Sequence, residues 1–429
     1  MKTLAFFVTF GVLACGLATA GETEDQVDRA HAEIWKRFVD QYNLVLDYTA
    51  LDGSIIRPTP EECRECKPSA LSWGIPVEDG PMFNGLYLDA MCNRWRLSKS
   101  DDDKKLARRL IDGLLKVSSI GTTPGFIARG IATDGKTTYP MGSNDQTTPW
   151  LYGIWRYLND GLATPDERQE LIAKFTEQVT TLDQNGWRMP CEGGPSKYRG
   201  SFMLPTWEGA PRILFVLKAM HHLTGDPQWQ ARYLAAAEEK VGKGQRKRIE
   251  ICRHGLEFDP GQGARHSWTG SEGVVCLRAL WEMETDPELK QAYAQGLRSS
   301  AELSAKSLPL CEKFNVDGKE HFDPDWHMMN AAWKPQNSEE EAVAVAVAGL
   351  RLQGKASPRM HLEKDWMREP CFAAWVVTLC PDAAYVTEQR PAIEKVIQHY
   401  RFNELYLSQF FPVESAWYRL KLIEADTGK

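Results

Sequence analysis

Two kinds of apolar pattern alternate along the chain. Segments of the first kind are apolar on more than one helical face, and they cover residues 82–91, 150–155, 213–220, 274–283 and 342–350. Segments of the second kind mix charged and apolar residues at helical spacing, and they cover residues 102–117, 165–182, 227–240 and 287–305. A helix that is apolar all round is buried, whereas an amphipathic helix keeps one face in water. The alternation predicts buried helices that are usually followed by an outer helix.

The helix boundaries repeat as well. A loop rich in Trp, Asn or acidic residues leads into each apolar segment, roughly every 60 to 70 residues, about the length of two helices with their loops. Three outer segments begin with a capping Thr or Asp before a proline, at Thr164-Pro165, Asp226-Pro227 and Asp286-Pro287. Proline fits the first turn of a helix because its missing N–H would have no helical partner there. These signals predict helix starts.

The repeats predict an all-α fold, an (α/α)6 barrel in which residues 21–429 form a single domain with an inner and an outer ring of helices. An open α-solenoid is the alternative, but it would expose one face of each inner helix. The segments after residue 369 look helical but follow the repeat less well. Long loops at residues 50–81, 120–149, 185–205 and 256–267 all lead into inner helices, so we expect them on one face of the ring. Long ordered loops in a compact domain commonly carry function.

The N-terminus has the pattern of an export signal. A positive start precedes an apolar run from Leu4 to Leu17, and small residues at 18–20 suit cleavage before Gly21. A retained anchor and a lipoprotein signal with Cys15 lipidated are alternatives, although the run is too short for a convincing membrane span. Since no other segment is apolar enough to span a bilayer, we expect a periplasmic or secreted protein, tethered at most by a lipid at its start.

Composition narrows the partners. The formal net charge of −7 argues against a nucleic-acid partner, which would need a basic face. Nine cysteines follow Cys15, and Cys63 and Cys66 form the one CxxC motif, which predicts a local disulfide or plain thiols rather than zinc. Cys276 and Cys371 lie in apolar helical runs and are predicted core residues.

Metal and cofactor signals are weak. His321 and His327 flank Asp323 and Asp325, a spacing that could supply metal ligands. The chain contains no glycine-rich phosphate loop and no GxSxG nucleophile motif. We therefore expect neither a metal nor a cofactor.

Acidic residues recur where the predicted inner helices begin. These acids are Glu78, Asp79, Asp145, Glu208, Glu272 and residues 339–341. In a ring, the starts of the inner helices converge, which would bring the acids into one pocket. Acids are also common at helix starts because they offset the helix dipole. Asp145 needs that explanation least, since Ser143 or Asn144 can already cap its helix.

Aromatic and cationic residues occupy the same predicted face. The aromatic residues are Trp73, Tyr139, Trp150, Trp207 and Trp268, and the cationic residues are Arg129, Arg199, Arg212, Arg265 and His266. Flat aromatic faces suit sugar rings, and a guanidinium pairs with a carboxylate through two hydrogen bonds, which would suit a uronic acid. The alternatives are core filling for the aromatic residues and local ion pairs for the cations.

Three stretches resemble a known family. The repeated hairpins are similar to the six-hairpin glycosidase superfamily, and the stretches resemble its unsaturated glucuronyl and rhamnogalacturonyl hydrolases. They are residues 78–83 (Glu-Asp-Gly-Pro-Met-Phe), 145–152 (Asp-Gln-Thr-Thr-Pro-Trp-Leu-Tyr) and 267–271 (Ser-Trp-Thr-Gly-Ser). The family has His where this chain has Glu78. The resemblance implies that Asp145 is the general acid and base, which protonates the C4=C5 double bond of an unsaturated uronide and directs water to C5, while Asp79 orients the sugar or the water.

The sequence therefore predicts an exported glycoside hydrolase that acts on uronic-acid-containing oligosaccharides. A polysaccharide lyase on the same scaffold is one alternative, with His266, Tyr139 or Tyr198 as the base. A non-catalytic glycan-binding protein is another, and a barrel that acts on terpenes or peptides is a third. The predicted catalytic residues are Asp145 and Asp79. The predicted substrate-binding residues are Trp73, Glu78, Arg129, Tyr139, Trp150, Trp207, Arg212, His266 and Trp268.

Overall fold

The computed structural model of the protein describes residues 21–257 and 266–428. The predicted export signal at residues 1–20, including Cys15, lies outside the described residues, and so do Arg265 and most of the predicted loop at 256–267. The described part is all-α in class, with sixteen α-helices and little strand.

The α-helices begin and end as follows. They are α1 (described over residues 21–33), α2 (Pro60–Arg64), α3 (Gly80–Ser98), α4 (Asp101–Val117), α5 (Asn144–Asn159), α6 (Pro165–Gln184), α7 (Gly209–Thr224), α8 (Pro227–Glu238), α9 (Arg248–His254), α10 (His266–Met283), α11 (Pro287–Ala305), α12 (Glu339–Ala356), α13 (Pro358–Glu363), α14 (Glu369–Thr378), α15 (Ala383–His399) and α16 (Pro412–Thr427).

Short elements of other kinds fill the connections. Two antiparallel pairs of strands are formed by β1 (Arg188–Pro190) with β2 (Tyr198–Ser201), and by β3 (Lys240–Val241) with β4 (Arg246–Lys247). The 3-10 helices are Leu308–Lys313, Trp326–Ala332 and Phe402–Glu404, and the π-helical turns are Ile34–Phe38 and Lys364–Arg368.

The predicted outer helices have the expected starts. The Thr164 side chain accepts a hydrogen bond from the Glu167 N–H, and the Glu167 side chain accepts one from the Thr164 N–H, which is a complete capping box before α6. The side chains of Asp226 and Asp286 cap the N-termini of α8 and α11 by accepting hydrogen bonds from main-chain N–H groups of the first turn, and each Asp precedes a proline. The local sequence signal is thus confirmed for all three helices.

Six helices form the buried centre of the molecule. They are α3, α5, α7, α10, α14 and α16. Each contacts at least two others of the set, in the order α3, α5, α7, α10, α14, α16 and back to α3. All ten residues of α14 are buried. A single cluster of buried apolar side chains includes residues from Val27 to Leu420, so one continuous core holds the six helices together.

The amphipathic helices lie outside this centre. Helix α4 packs on α3, α6 packs on α5 and α7, α8 packs on α7, α11 packs on α10 and α14, and α15 packs on α14 and α16. Helix α1 meets α3 and α16, where His31 is hydrogen-bonded to Glu414 and within 3.3 Å of the Tyr87 hydroxyl. The six buried helices therefore have six outer companions.

One predicted inner helix is wrong. Residues 342–350 belong to α12, which is buried along one face only, through Ala342, Val345, Ala346, Gly349 and Gln353, and packs mainly on the 3-10 helix Trp326–Ala332. Because its alanines and valines have small side chains, this apolar run can lie at the surface with little apolar area in contact with water. The buried positions that the sequence pattern gave to this segment belong to α14 and α16 instead.

Two glycines let α3 and α5 approach closely. A Cβ on Gly85 would lie 2.0 Å from the Pro149 carbonyl oxygen, and a Cβ on Gly153 would lie 2.7 Å from the Gly85 Cα. Real side chains do not tolerate such distances, so the contact between these helices requires glycine at both positions.

The cysteines in the described part of the chain are thiols. All nine described cysteines are free, which decides between the two predicted states of Cys63 and Cys66. Cys276 and Cys371 are fully buried, as predicted. Within the part of the chain that the structure describes, no helix combines the length and the apolar character needed to cross a membrane.

Candidate functional site

A cavity of about 200 Å³ opens where three buried helices begin. Asp79 directly precedes α3, Asp145 is the second residue of α5, and Glu272 lies in the second turn of α10. Two further segments close the cavity: the π-helical turn Lys364–Arg368, and the chain that contains Asp47. Five carboxylates and three cationic side chains therefore line one small space.

Asp79 is the most firmly held of the acids. Its Oδ1 accepts hydrogen bonds from Arg129 Nη1 at 3.0 Å and from Gln146 Nε2 at 2.7 Å, and its main-chain N–H donates to Asp47 Oδ2 at 2.9 Å. Burial raises the pKa of Asp79, and Asp145 reinforces that effect, whereas Arg129 opposes it. The orientation of this carboxylate is thus fixed by the protein.

Glu78 and Asp47 are crowded against Asp79. Glu78 Oε2 accepts a hydrogen bond from the Gly74 N–H at 2.6 Å. Burial and the neighbouring Asp79 raise the pKa of Glu78 to about 8. Burial, Asp79 and Glu78 also raise the pKa of Asp47 well above its ordinary value. One oxygen from each of the three carboxylates lies within 4.8 Å of the others, which is close enough to share a metal ion.

Glu272 and Asp145 share Arg212. The guanidinium of Arg212 donates to Glu272 Oε2 at 2.7 Å, and Arg212 Nη2 lies 3.8 Å from Asp145 Oδ1. Burial raises the pKa of Glu272 to about 8, and Arg212 only partly offsets this effect because Asp145 and Asp79 add repulsion. The Asp145 side chain is 48% exposed, and no hydrogen bond to it is found among the described residues. Asp145 therefore presents a half-exposed carboxylate that can contact a bound molecule.

Cationic groups face the acids across the cavity. The Arg368 guanidinium lies 4.3 Å from the centre of the Trp268 ring, a distance typical of a cation–π contact. Burial and Arg368 lower the pKa of Lys364, and Lys364 makes no hydrogen bond or ion pair within 4 Å to any described residue. A π-helical turn carries both residues, and such turns are frequent at functional sites.

The structure brings together about half of the predicted site residues. Those that line the cavity are Trp73, Glu78, Asp79, Arg129, Asp145 and Trp268. Arg212 stands behind them as the ion-pair partner of Glu272. The acids Glu208 and Glu339, at the other predicted helix starts, do not line this cavity.

Four predicted substrate-binding residues lie elsewhere, in the packed interior. Trp150 is fully buried and its Nε1 donates to the Leu114 carbonyl oxygen at 2.8 Å, while Tyr139 donates to the Lys67 carbonyl oxygen. Trp207 is buried against Gly273, and His266 is buried at the start of α10 near Ser307. The side chains of Trp150, Tyr139 and Trp207 fill the core beside the helix starts, which is the alternative stated above for the aromatic residues.

Sequence reasoning missed three charged residues and one glutamine of the cavity. They are Asp47, Lys364, Arg368 and Gln409. Asp47 precedes the first predicted buried helix, and the other three lie in segments that the repeat does not explain. His327, a predicted ligand candidate, instead lies between two carboxylates, 2.7 Å from both Asp325 and Glu62.

Comparison of the chain with protein-family models, with curated proteins and with solved structures gave no match.

Proposed function

We propose that the protein is an exported glycoside hydrolase, folded as a single (α/α)6 barrel, that acts on uronic-acid-containing oligosaccharides. The proposal for the barrel rests on two facts: six buried helices contact one another in a cyclic order, and six outer helices lie against them. In such a barrel the starts of the buried helices surround a common pocket.

The observation that carries the proposed chemistry is the set of unlike carboxylates in that pocket. Asp145 is half-exposed and free of hydrogen bonds to the described residues, whereas Asp79 is buried and fixed by Arg129 and Gln146. Carboxyl groups in contrasting environments can divide the roles of acid and base, which is the requirement for cleaving a glycosidic bond. Glu272 adds a third carboxyl group whose raised pKa keeps a proton available at neutral pH.

The roles follow from reach and orientation. Asp145 donates a proton to the sugar and later accepts one from water, because it is the carboxyl group most open to the cavity. Asp79 orients the sugar or the attacking water. On an unsaturated uronide, proton addition at C4 and water addition at C5 give a hemiketal, whose collapse releases the next sugar. On a saturated substrate the same groups protonate the leaving oxygen and activate the water.

The lining supports a sugar acid as the substrate. Trp73 and Trp268 supply aromatic surface, and Lys364 and Arg368 supply positive charge on the same side as Trp268. A uronate would place its ring against aromatic surface and its carboxylate against these cations.

The test is an ultraviolet absorbance assay of the C4=C5 double bond. Purified protein would be mixed with unsaturated uronide disaccharides from several polysaccharides, and in parallel with the intact polymers. Loss of absorbance on the disaccharides supports the proposal. A rise on an intact polymer would show a lyase. If absorbance stays constant, chromatography of saturated oligosaccharides decides between ordinary hydrolysis, which releases smaller sugars, and glycan binding without cleavage, which contradicts the proposal.

A further inference from the structure

We propose that Asp47, Glu78, Asp79 and Gln409 bind a hard divalent cation, with calcium as the best fit, on one wall of the cavity. This inference goes beyond the proposed hydrolysis and stands independently of it, because it concerns binding in the absence of any sugar.

Each of the three carboxylates keeps one oxygen available. Asp47 uses Oδ2 to accept the Asp79 N–H, Glu78 uses Oε2 to accept the Gly74 N–H, and Asp79 uses Oδ1 to accept from Arg129 and Gln146. The second oxygen of each group accepts no hydrogen bond from the described residues. The three side chains also bring one oxygen each to within 4.8 Å of the others. The hydrogen bonds therefore orient the carboxylates and leave an oxygen of each to coordinate an ion.

Gln409 brings a buried amide oxygen to the same wall of the cavity. Its side chain is only 3% exposed and lines the same cavity. Its Nε2 donates to the Asp47 carbonyl oxygen at 3.2 Å, which fixes the amide beside the acids. Its Oε1 is buried and has no hydrogen-bond partner in the part of the chain that the structure describes. A buried amide oxygen without a donor is costly, and coordination to a cation would satisfy it.

The charge of the lining favours a cation as well. Five carboxylates (Asp47, Glu78, Asp79, Asp145 and Glu272) face four cations (Arg129, Lys364, Arg368 and, behind the lining, Arg212), which leaves one negative charge when all are ionised. Arg129 forms an ion pair with the carboxylate of Asp79 at 3.0 Å and otherwise reaches only the main-chain oxygen of Glu78 at 3.5 Å, and Lys364 lies more than 4 Å from the carboxylate oxygens of all three. The cations of the protein thus leave the cluster of Asp47, Glu78 and Asp79 incompletely neutralised.

Calcium fits this ligand set by its chemistry. It takes about six to eight oxygen ligands, and carboxylates, amide carbonyls and water all serve. One oxygen from each of the four residues would leave about two to four positions open to the cavity. Water would fill them in the free protein, and a uronate carboxylate could replace water if the proposed function holds.

The experiment is a calorimetric titration of metal-free protein with calcium chloride, in which the heat of binding is measured. A second titration uses terbium, whose emission is sensitised by nearby indoles such as Trp73 and Trp268. We expect saturable binding of one ion per chain, and competition of calcium against terbium.

Asp47→Asn keeps an acceptor for the Asp79 N–H but removes the charge, and should weaken binding by at least about ten-fold, the size of effect seen even for residues around a metal site. Gln409→Met should also weaken binding. Asp102→Asn, an exposed acid on α4, is the matched control and should bind as the unmodified protein does.

Thermal unfolding tests whether the crowded acids bind a cation or only hold protons. With a chelator present, Asp47→Asn should unfold at a higher temperature than the unmodified protein, because a neutral amide replaces a buried acid that is crowded against Asp79 and Glu78. With calcium present, the unmodified protein should gain stability and the variant should gain less.

If Asp47→Asn fails to fold, Glu78→Gln and Gln409→Met provide the same comparison. Absence of heat and of terbium emission up to millimolar ion, or binding that none of the three variants weakens, would overturn the site. Tighter binding of magnesium than of calcium would overturn the choice of ion. If the protein cleaves sugars but binds no ion, the metal site is wrong and the proposed function still holds.

Discussion

Arg419 holds Asp89 through two hydrogen bonds, from Nε to Oδ2 at 2.9 Å and from Nη2 to Oδ1 at 2.5 Å, and this pair joins the last buried helix to the first. Asp89 also accepts hydrogen bonds from Trp375 on α14 and Tyr152 on α5. Burial by itself would raise the pKa of Asp89, but Arg419 and Arg156 outweigh it and hold the pKa at about 2. One carboxylate therefore links four of the six buried helices.

Removal of that carboxylate should destabilise the whole fold. Asp89→Ala leaves the buried Arg419 guanidinium without its partner, and a broken buried ion pair typically costs about 3–5 kcal/mol. The measurement is the free energy of unfolding from a urea titration. Asp102→Asn, on the surface of α4, is the control and should change stability by less than about 0.5 kcal/mol. Equal stability of the two variants would refute the idea that Asp89 holds the buried helices together.

The crossing of α3 and α5 should be intolerant of a single methyl group. In Gly85→Ala the new Cβ would lie 2.0 Å from the Pro149 carbonyl oxygen, so the helices have to move apart. Overpacking of this kind costs about 1–3 kcal/mol and sometimes more. Gly244→Ala is the control, since the nearest atom to its Cβ would be 3.9 Å away. Denaturant midpoints of the two variants that agree with each other would contradict the close approach.

Asp145→Asn should lower activity strongly without weakening the fold. Loss of a general acid or base typically lowers the rate about 10²–10⁴-fold. The side chain is half-exposed and accepts no hydrogen bond from the described residues, so stability should stay unchanged. Glu339→Gln is a matched control, because Glu339 also begins a helix but lies outside the cavity. If Glu339→Gln lost as much activity as Asp145→Asn, the assignment of the cavity as the catalytic site would be wrong.

Lys364→Met should weaken the binding of acidic sugars selectively. A hydrogen bond to a charged group contributes about 1.5–3 kcal/mol, so KM for a uronide substrate should rise about ten-fold or more, with a smaller change in kcat. Binding of an uncharged oligosaccharide should be unaffected. Lys355→Met, at the exposed end of α12, serves as the control. An equal rise in KM for charged and uncharged sugars would count against a uronate at this position.

Stability should fall as pH rises from 4.5 to about 8. Burial raises the pKa of Glu272 to about 8 and the pKa values of Glu363 and Glu369 to about 7. The folded protein therefore keeps protons that the unfolded chain releases above its ordinary value of 4.5, so this contribution is full below 4.5 and is lost as pH rises through the folded values.

Asp89 and Glu282 act in the opposite direction. Despite burial, nearby arginines hold the pKa of each at about 2, so their contribution is lost as pH falls toward 2. Urea titrations across this range, in the presence of a chelator, should show greatest stability near the ordinary carboxyl values. Glu272→Gln should flatten the loss between pH 4.5 and 8. An unchanged slope in that variant would show that Glu272 titrates normally.

The sequence by itself determined the helical class and most of the helix boundaries. Capping residues before prolines at 165, 227 and 287 act within one turn, so neighbours in the chain decide them without help from the fold. The all-round apolar pattern likewise identified α3, α5, α7 and α10 as buried, because burial on several sides demands it. The acids at the starts of α3 and α5 were found for the same reason: their position relative to a helix is a local property.

Only the tertiary structure decided which segments complete the set of buried helices and which side chains meet in the cavity. α12 and α14 are both apolar, and it is packing against α10 and α16 that buries α14 while α12 keeps one face in water. Asp47 and Gln409 are 362 residues apart, yet a hydrogen bond joins them. Trp150 and Trp73 look alike in the sequence, but one is packed beneath α4 and the other borders the cavity. Contacts between distant parts of a chain depend on how its helices pack, and no local pattern records that.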